Sequence, residues 1–269
     1  MSFTNGGVMA TPSALFSTGE TRGLAAPGTQ AAQRRARVEL AVGYGLILAT
    51  IWSARPLQAW LYAAALTWIV AVTWVSFDGW KVMGLRTGGM LRSLWVVGVA
   101  LMVALVAVLV AARMGTLNSP HGAPLFVRSF WGYTIWAFMQ QFLLQDFVLL
   151  RLLRSGSSKR AAVLVAAGLF GLAHLPSPIL TTVTLVWGTA ACCLFLQYRN
   201  IYVLGMAHAI LGVCLATVVP GHVDHNMRVG LGYLRYHPRG RVQRGQRSPS
   251  VRYVPADVWA LGDDPQRWT

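Results

Sequence analysis

Two long windows almost free of charge decide what this chain can fold into. Across 93–150 the charged residues are Arg113, Arg128 and Asp146, and across 161–221 there is only Arg199. Hydrocarbon excludes charge, and a helix that crosses it needs about 20 largely apolar residues. The windows meet that demand, so they specify membrane helices rather than a soluble core. The full 269 residues agree, with 12% charged side chains against roughly 25% in a soluble domain.

Seven apolar segments can be drawn, at about 38–52, 57–77, 93–112, 129–150, 161–175, 179–196 and 201–219. The chain is therefore expected to be all-α, a polytopic transmembrane helix bundle. Pro56, Pro120, Gly156 and Pro176 lie in the breaks, and Trp52, Trp60, Trp80 and Trp131 lie near segment ends, as interfacial aromatics do. Residues 1–36 are rich in Gly, Ala, Ser and Thr and lack an apolar run of the signal-peptide kind. They are read as a disordered tail, residues 37–233 as the membrane domain, and the Arg-rich 234–269 as a second disordered tail. The first apolar helix is expected to serve as the targeting signal.

The formal net charge of +15 does not point to nucleic acid, because the basic residues sit at the ends of apolar runs or after Pro220. With the N-terminus in the cytoplasm, the inner side collects twelve Lys and Arg and the outer loops hold Arg55, Arg113 and Arg128, as the positive-inside rule asks. Seven spans would then place the eight arginines after Pro220 outside. Either that tail is translocated or one short segment is re-entrant. Cys192, Cys193 and Cys214 lie inside apolar runs and read as small buried hydrophobes.

Polar residues inside membrane helices are expensive and mark function by default. The fourth segment carries Gln140, Gln141, Gln145 and Asp146, followed by Arg151. On a regular helix Gln141 and Gln145 share a face, about 40° apart, and Asp146 points about 100° beyond Gln145. Lipid offers these groups no partners, so they face a protein interior or a wet cavity. His174 and His208 stand in two later apolar segments. Neutral imidazole binds a metal, orients a water or donates to a developing oxyanion. Interhelical hydrogen bonding is the structural reading of the glutamines, and a satisfied core histidine that of either His taken alone.

The order of these motifs resembles the CPBP family of intramembrane proteases, which includes the type II CAAX prenyl proteases and Abi proteins. Members carry a glutamate pair followed by an arginine, then Phe-x-x-x-His, then His-x-x-x-Asn/Asp. Phe170-Gly-Leu-Ala-His174 matches the second motif in full. Gly188, the 198–201 stretch Tyr-Arg-Asn-Ile and Ala207-His208 resemble the approach to the third. The resemblance covers roughly 129–216 and places Gln140 and Gln141 on the glutamate pair and Gln145 on the arginine. Gly212 stands where Asn or Asp is expected. The two glutamates of the chain, Glu20 and Glu39, lie far from the motif, and glutamine cannot accept a proton at neutral pH.

The resemblance implies an intramembrane endopeptidase acting on membrane or lipid-modified proteins. His174 and His208 would orient water or stabilise the tetrahedral intermediate, Gln140 and Gln141 would position the scissile peptide, and Asp146 is the remaining base. No cofactor is required, while His174, His208, His222 and His225 are metal-ligand candidates, with Asp224 between the last two. Two other readings stay open: a catalytically inactive member that binds a hydrophobic peptide, lipid or membrane partner, and a haem protein using His174 and His208 as axial ligands. The expected partners are the lipid bilayer and a membrane-protein or lipid-modified peptide, with no nucleic acid. The composition suits a bacterial inner membrane.

Overall fold

A computed structural model describes residues 29–117 and 123–237. The described residues are helical, without strands: α1 (Gln30–Trp52), α2 (Leu57–Val75), α3 (Met90–Ser93), α4 (Trp95–Met114), α5 (Ala123–Phe142), a π-helical stretch (Leu143–Leu149), α6 (Leu150–Arg154), α7 (Lys159–Leu172), α8 (Pro178–Tyr198), α9 (Ile201–Val218), α10 (Gly221–Asp224) and α11 (Gly230–Leu234). The tail expected over 1–36 lies outside the described residues as far as 28. Its last residues already belong to α1, which Thr29 opens by accepting a hydrogen bond from the Ala32 amide. Most of the tail expected over 234–269 also lies outside the described residues.

Every one of the seven apolar stretches is helical, but seven spans are not supported. Among the described residues, four helices are long and apolar enough to cross a membrane: Leu57–Val75, Met90–Met114, Pro178–Tyr198 and Ile201–Val218. The other three fall short for physical reasons. The first half of α1 carries Arg34, Arg35, Arg37 and Glu39. The α5 helix carries Arg128, Tyr133, Gln140 and Gln141. With 14 residues, α7 reaches only about 21 Å, against roughly 30 Å of hydrocarbon. The apolar outer surface, with Trp74, Leu101 and Val186 more than half exposed, is the surface of an integral membrane protein.

The helix starts follow ordinary capping rules. Ser158 accepts from the Ala161 amide ahead of α7, Ser177 from the Leu180 amide ahead of α8, and Asn200 from the Val203 amide ahead of α9. Pro178 takes the first turn of α8, where a missing N–H costs nothing. The α8–α9 connection is only Arg199 and Asn200, with Arg199 in the left-handed region at φ 48°. Gly84 makes the tight turn possible from the other side. Its carbonyl accepts from the Ile201 amide at 3.0 Å, and a Cβ there would run into Phe195 and the Arg199 carbonyl.

The π-helical stretch forms the centre of the packing. Phe147 and Leu149 are fully buried among Ala166, Cys192 and Phe195 from α7 and α8. α1 reaches the same place because Gly43 leaves room for the Phe147 ring. Glu39 of α1 then receives the Arg35 guanidinium at 2.7 Å and stands 3.3 Å from Arg151 Nε. Arg151 is 1% exposed on its side chain and also donates to the Asp146 carbonyl at 3.1 Å. Beyond α9, the Gly230 amide donates to the Leu175 carbonyl at 2.7 Å. That bond folds the segment after α9 back across the turn that carries His174.

Candidate active site

The polar stripe of α5 meets the two histidines across the bundle. Gln141 Nε2 lies 2.9 Å from His208 Nδ1, and Gln140 Nε2 lies 3.4 Å from His174 Nε2. One turn further on, Gln145 Nε2 donates to Gln141 Oε1 at 3.2 Å. Gln141 and Gln145 are wholly buried, and the histidines are 7% and 6% exposed. The structure therefore brings together five of the six residues marked in the sequence as catalytic candidates.

Helix geometry explains each placement. His174 follows the end of α7, where carbonyls lack intrahelical donors, and its Nδ1 sits 2.7 Å from the Phe170 carbonyl. A carbonyl only accepts, so Nδ1 carries the hydrogen and Nε2 keeps its lone pair. His208 has the opposite arrangement. Gln141 Oε1 is occupied by the Gln145 amide, so the Gln141 amide hydrogens point at His208 Nδ1. In the neutral ring the hydrogen then sits on Nε2. One imidazole offers a lone pair and the other a donor.

Phe170 holds both rings by its edge contacts, with centroids 4.9 Å from His174 and 5.9 Å from His208. Gly188 lets Phe170 approach, since a Cβ there would stand 3.1 Å from its ring. Trp187 flanks His208 at 6.1 Å. Together Tyr133, Gln140, His174, Trp187, His208 and Met227 line a cleft with about 50 Å³ of free space. That is room for one or two waters.

Asp146 is not part of this cleft. It is 2% exposed, but the charges acting on it are those of Arg199, Arg151 and Arg154, and neither carboxylate oxygen has a hydrogen-bond partner. It belongs to the π-helical stretch. The residues that line the cleft do not include Asp146, which the sequence offered as the base. Glu39 is engaged with Arg35 and Arg151 and does not line the cleft either.

The segment after α9 does fold over the cleft, but Met227 lines it rather than His222 or His225. His222 is exposed. His225 stacks on Tyr233 at 3.9 Å, with Nδ1 3.1 Å from the Tyr233 carbonyl. Burial raises the Asp224 carboxyl above the usual carboxylate range, against the opposing effect of the Asn226 amide. Among the described residues no three His, Cys, Asp or Glu side chains are gathered as a metal site.

Tyr133 is the lining residue the motif reading missed. Its signal was present: positions 133, 137, 140, 141 and 144 repeat at helical spacing. This stripe carries Ala137, Gln140 and Gln141, and all five residues are buried.

Residues 122–214 match the family model of the type II CAAX prenyl endopeptidase Rce1-like proteins. This part of the chain, about a third of it, is similar to that family. The matched stretch contains Gln140, Gln141, His174, His208 and Gly212, so the family segment and the polar cleft coincide. No curated protein and no solved structure matches the chain. The matched stretch holds both histidines, and glutamines stand at 140 and 141.

Proposed function

We propose that the chain is an intramembrane endopeptidase that hydrolyses membrane or lipid-modified proteins with a histidine as its base. What carries the reading is the pair of opposed hydrogen-bond settings: His174 has Nδ1 on the Phe170 carbonyl and Nε2 beside the Gln140 amide, while His208 has Nδ1 beside the Gln141 amide, both on a water-sized cleft. A general base needs a lone pair within reach of the water proton, and an oxyanion needs a fixed donor.

The chemistry closes on these groups. His174 Nε2 takes a proton from water as the oxygen bonds to the peptide carbon. The carbonyl π pair moves to its oxygen, where His208 Nε2–H donates. When the tetrahedral intermediate collapses, the C–N bond breaks and His174 returns its proton to the leaving nitrogen. Gln140 and Gln141 fix the rings, and Gln141 in particular keeps His208 in the donor form. The apolar walls of the cleft suit a lipid-embedded or prenylated chain, as the name of the matching family suggests.

A binding role without catalysis is favoured by one observation: among the described residues no carboxylate lines the cleft. The two are separated in the native host by comparing wild type with a His174→Ala, His208→Ala variant and profiling protein N-termini in membrane and secreted fractions. Precursors that accumulate in the variant, at equal membrane levels of the chain, are the expected result. Identical processing in both strains sinks the peptidase reading and leaves the binding role.

A further inference from the structure

Gly212 occupies the position at which Asn or Asp is expected, one turn after His208 on α9. In this fold the space is not empty. A Cβ built on Gly212 would overlap the Tyr133 hydroxyl and crowd the end of its ring. The phenol of α5 therefore reaches the place from which a residue-212 side chain would start. Tyr133 is 6% exposed, and it lines the same cleft as Gln140, His174 and His208.

Helix packing explains how a side chain from α5 fills a gap on α9. The two helices run antiparallel, since Phe138 meets Gly205 and the earlier Tyr133 meets the later Gly212. Tyr133 lies two turns before Gln140, on the face that the buried Ala137 brings close to α9. With glycine at 212 the hydroxyl end of the tyrosine fits against α9. Any larger residue there would displace it. Gly212 and Tyr133 are thus one arrangement, and the loss of a polar side chain at 212 is matched by the arrival of a hydroxyl.

We propose that the Tyr133 hydroxyl is a catalytic donor to the scissile carbonyl oxygen, taking the place of the missing residue-212 side chain beside His208 Nε2–H. A phenol suits this role, because it donates one hydrogen and stays protonated at neutral pH. It forms no covalent bond to substrate. It donates as the carbonyl oxygen gains charge and keeps its proton when the oxygen returns to a carbonyl. The proposal rests on the peptidase reading above.

The test is the processing half-time of a precursor that accumulates in the His174→Ala, His208→Ala strain, measured by pulse labelling in strains carrying single and paired changes. Tyr133→Phe keeps the ring and removes the donor. It is expected to slow processing about 100-fold, the scale of losing one oxyanion donor, with the chain inserted at wild-type level. Tyr133→Ala is expected to be as slow, and adding Gly212→Asn to it restores processing to within about tenfold of wild type, which a purely structural tyrosine would not allow. If His174→Ala slows processing while Tyr133→Phe leaves it unchanged, the Tyr133 proposal is overturned and the peptidase reading survives. The same holds if Tyr133→Ala with Gly212→Asn does no better than Tyr133→Ala alone. Processing unaffected by His174→Ala overturns both.

Discussion

Gln145 shows how a residue outside the cleft can govern what happens in it. Its amide occupies Gln141 Oε1, and that contact alone decides which end of Gln141 faces His208. Turning both amides over would hand the hydrogen to His208 Nδ1 and leave a lone pair where the oxyanion needs a donor. Replacing Gln145 with Met keeps volume and removes the constraint. Turnover is expected to fall about tenfold, the worth of one hydrogen bond of roughly 1–1.5 kcal/mol. The 15N shifts of the His208 ring, read in wild type and variant, check whether the tautomer moved. Wild-type shifts in the variant would break the link. At this scale much was legible from sequence. The four-residue spacing from Phe170 to His174 puts two rings one turn apart, and the same spacing joins Gln141 to Gln145. Asp146 was singled out because it is the one carboxylate between Asp78 and Asp224, which carries no information about the direction it faces. Tyr133 escaped notice because an aromatic residue in an apolar helix looks like packing until its neighbour across the bundle is known.

At the scale of helices, glycine decides which pairs can approach. Gly205 on α9 takes the face of the Phe138 ring, and a Cβ there would overlap the ring at its base rather than its tip. The ring has no easy retreat. Gly205→Val is expected to push α5 and α9 apart and destabilise the bundle by about 1–3 kcal/mol, the usual cost of overpacking. A lowered midpoint of thermal aggregation in detergent would show it, and an unchanged midpoint would mean the ring swings clear. The helices themselves were readable, since apolar runs and polar breaks fall where the sequence places them. Their number as spans was not. Whether α1, α5 and α7 cross the bilayer depends on length and polar load, and α7 stops at Leu172 because the chain turns there to present His174.

On the scale of the whole molecule, the last described segment ties distant parts together. Gly230 donates to Leu175 and lies against the backbone of Ile51 in α1, with φ at 53°. His225, Asn226 and Met227 precede it, all in the left-handed region, where each non-glycine residue costs about 1–3 kcal/mol unless its surroundings hold it. Gly230→Ala adds a clash with Ile51 to an unfavourable backbone, so the clasp is expected to loosen by a similar amount. Faster hydrogen exchange at the 225–234 amides, with α5 and α9 unchanged, is the expected signature. Unchanged protection there would mean the segment is held by something other than Gly230.

The clasp also sets an order of events during synthesis. The glutamines, both histidines and Tyr133 all leave the ribosome before Met227 and Gly230. The polar contacts between α5, α7 and α9 can therefore assemble while the cleft still lacks its cover, and the residues that close it are made after every residue that acts in it.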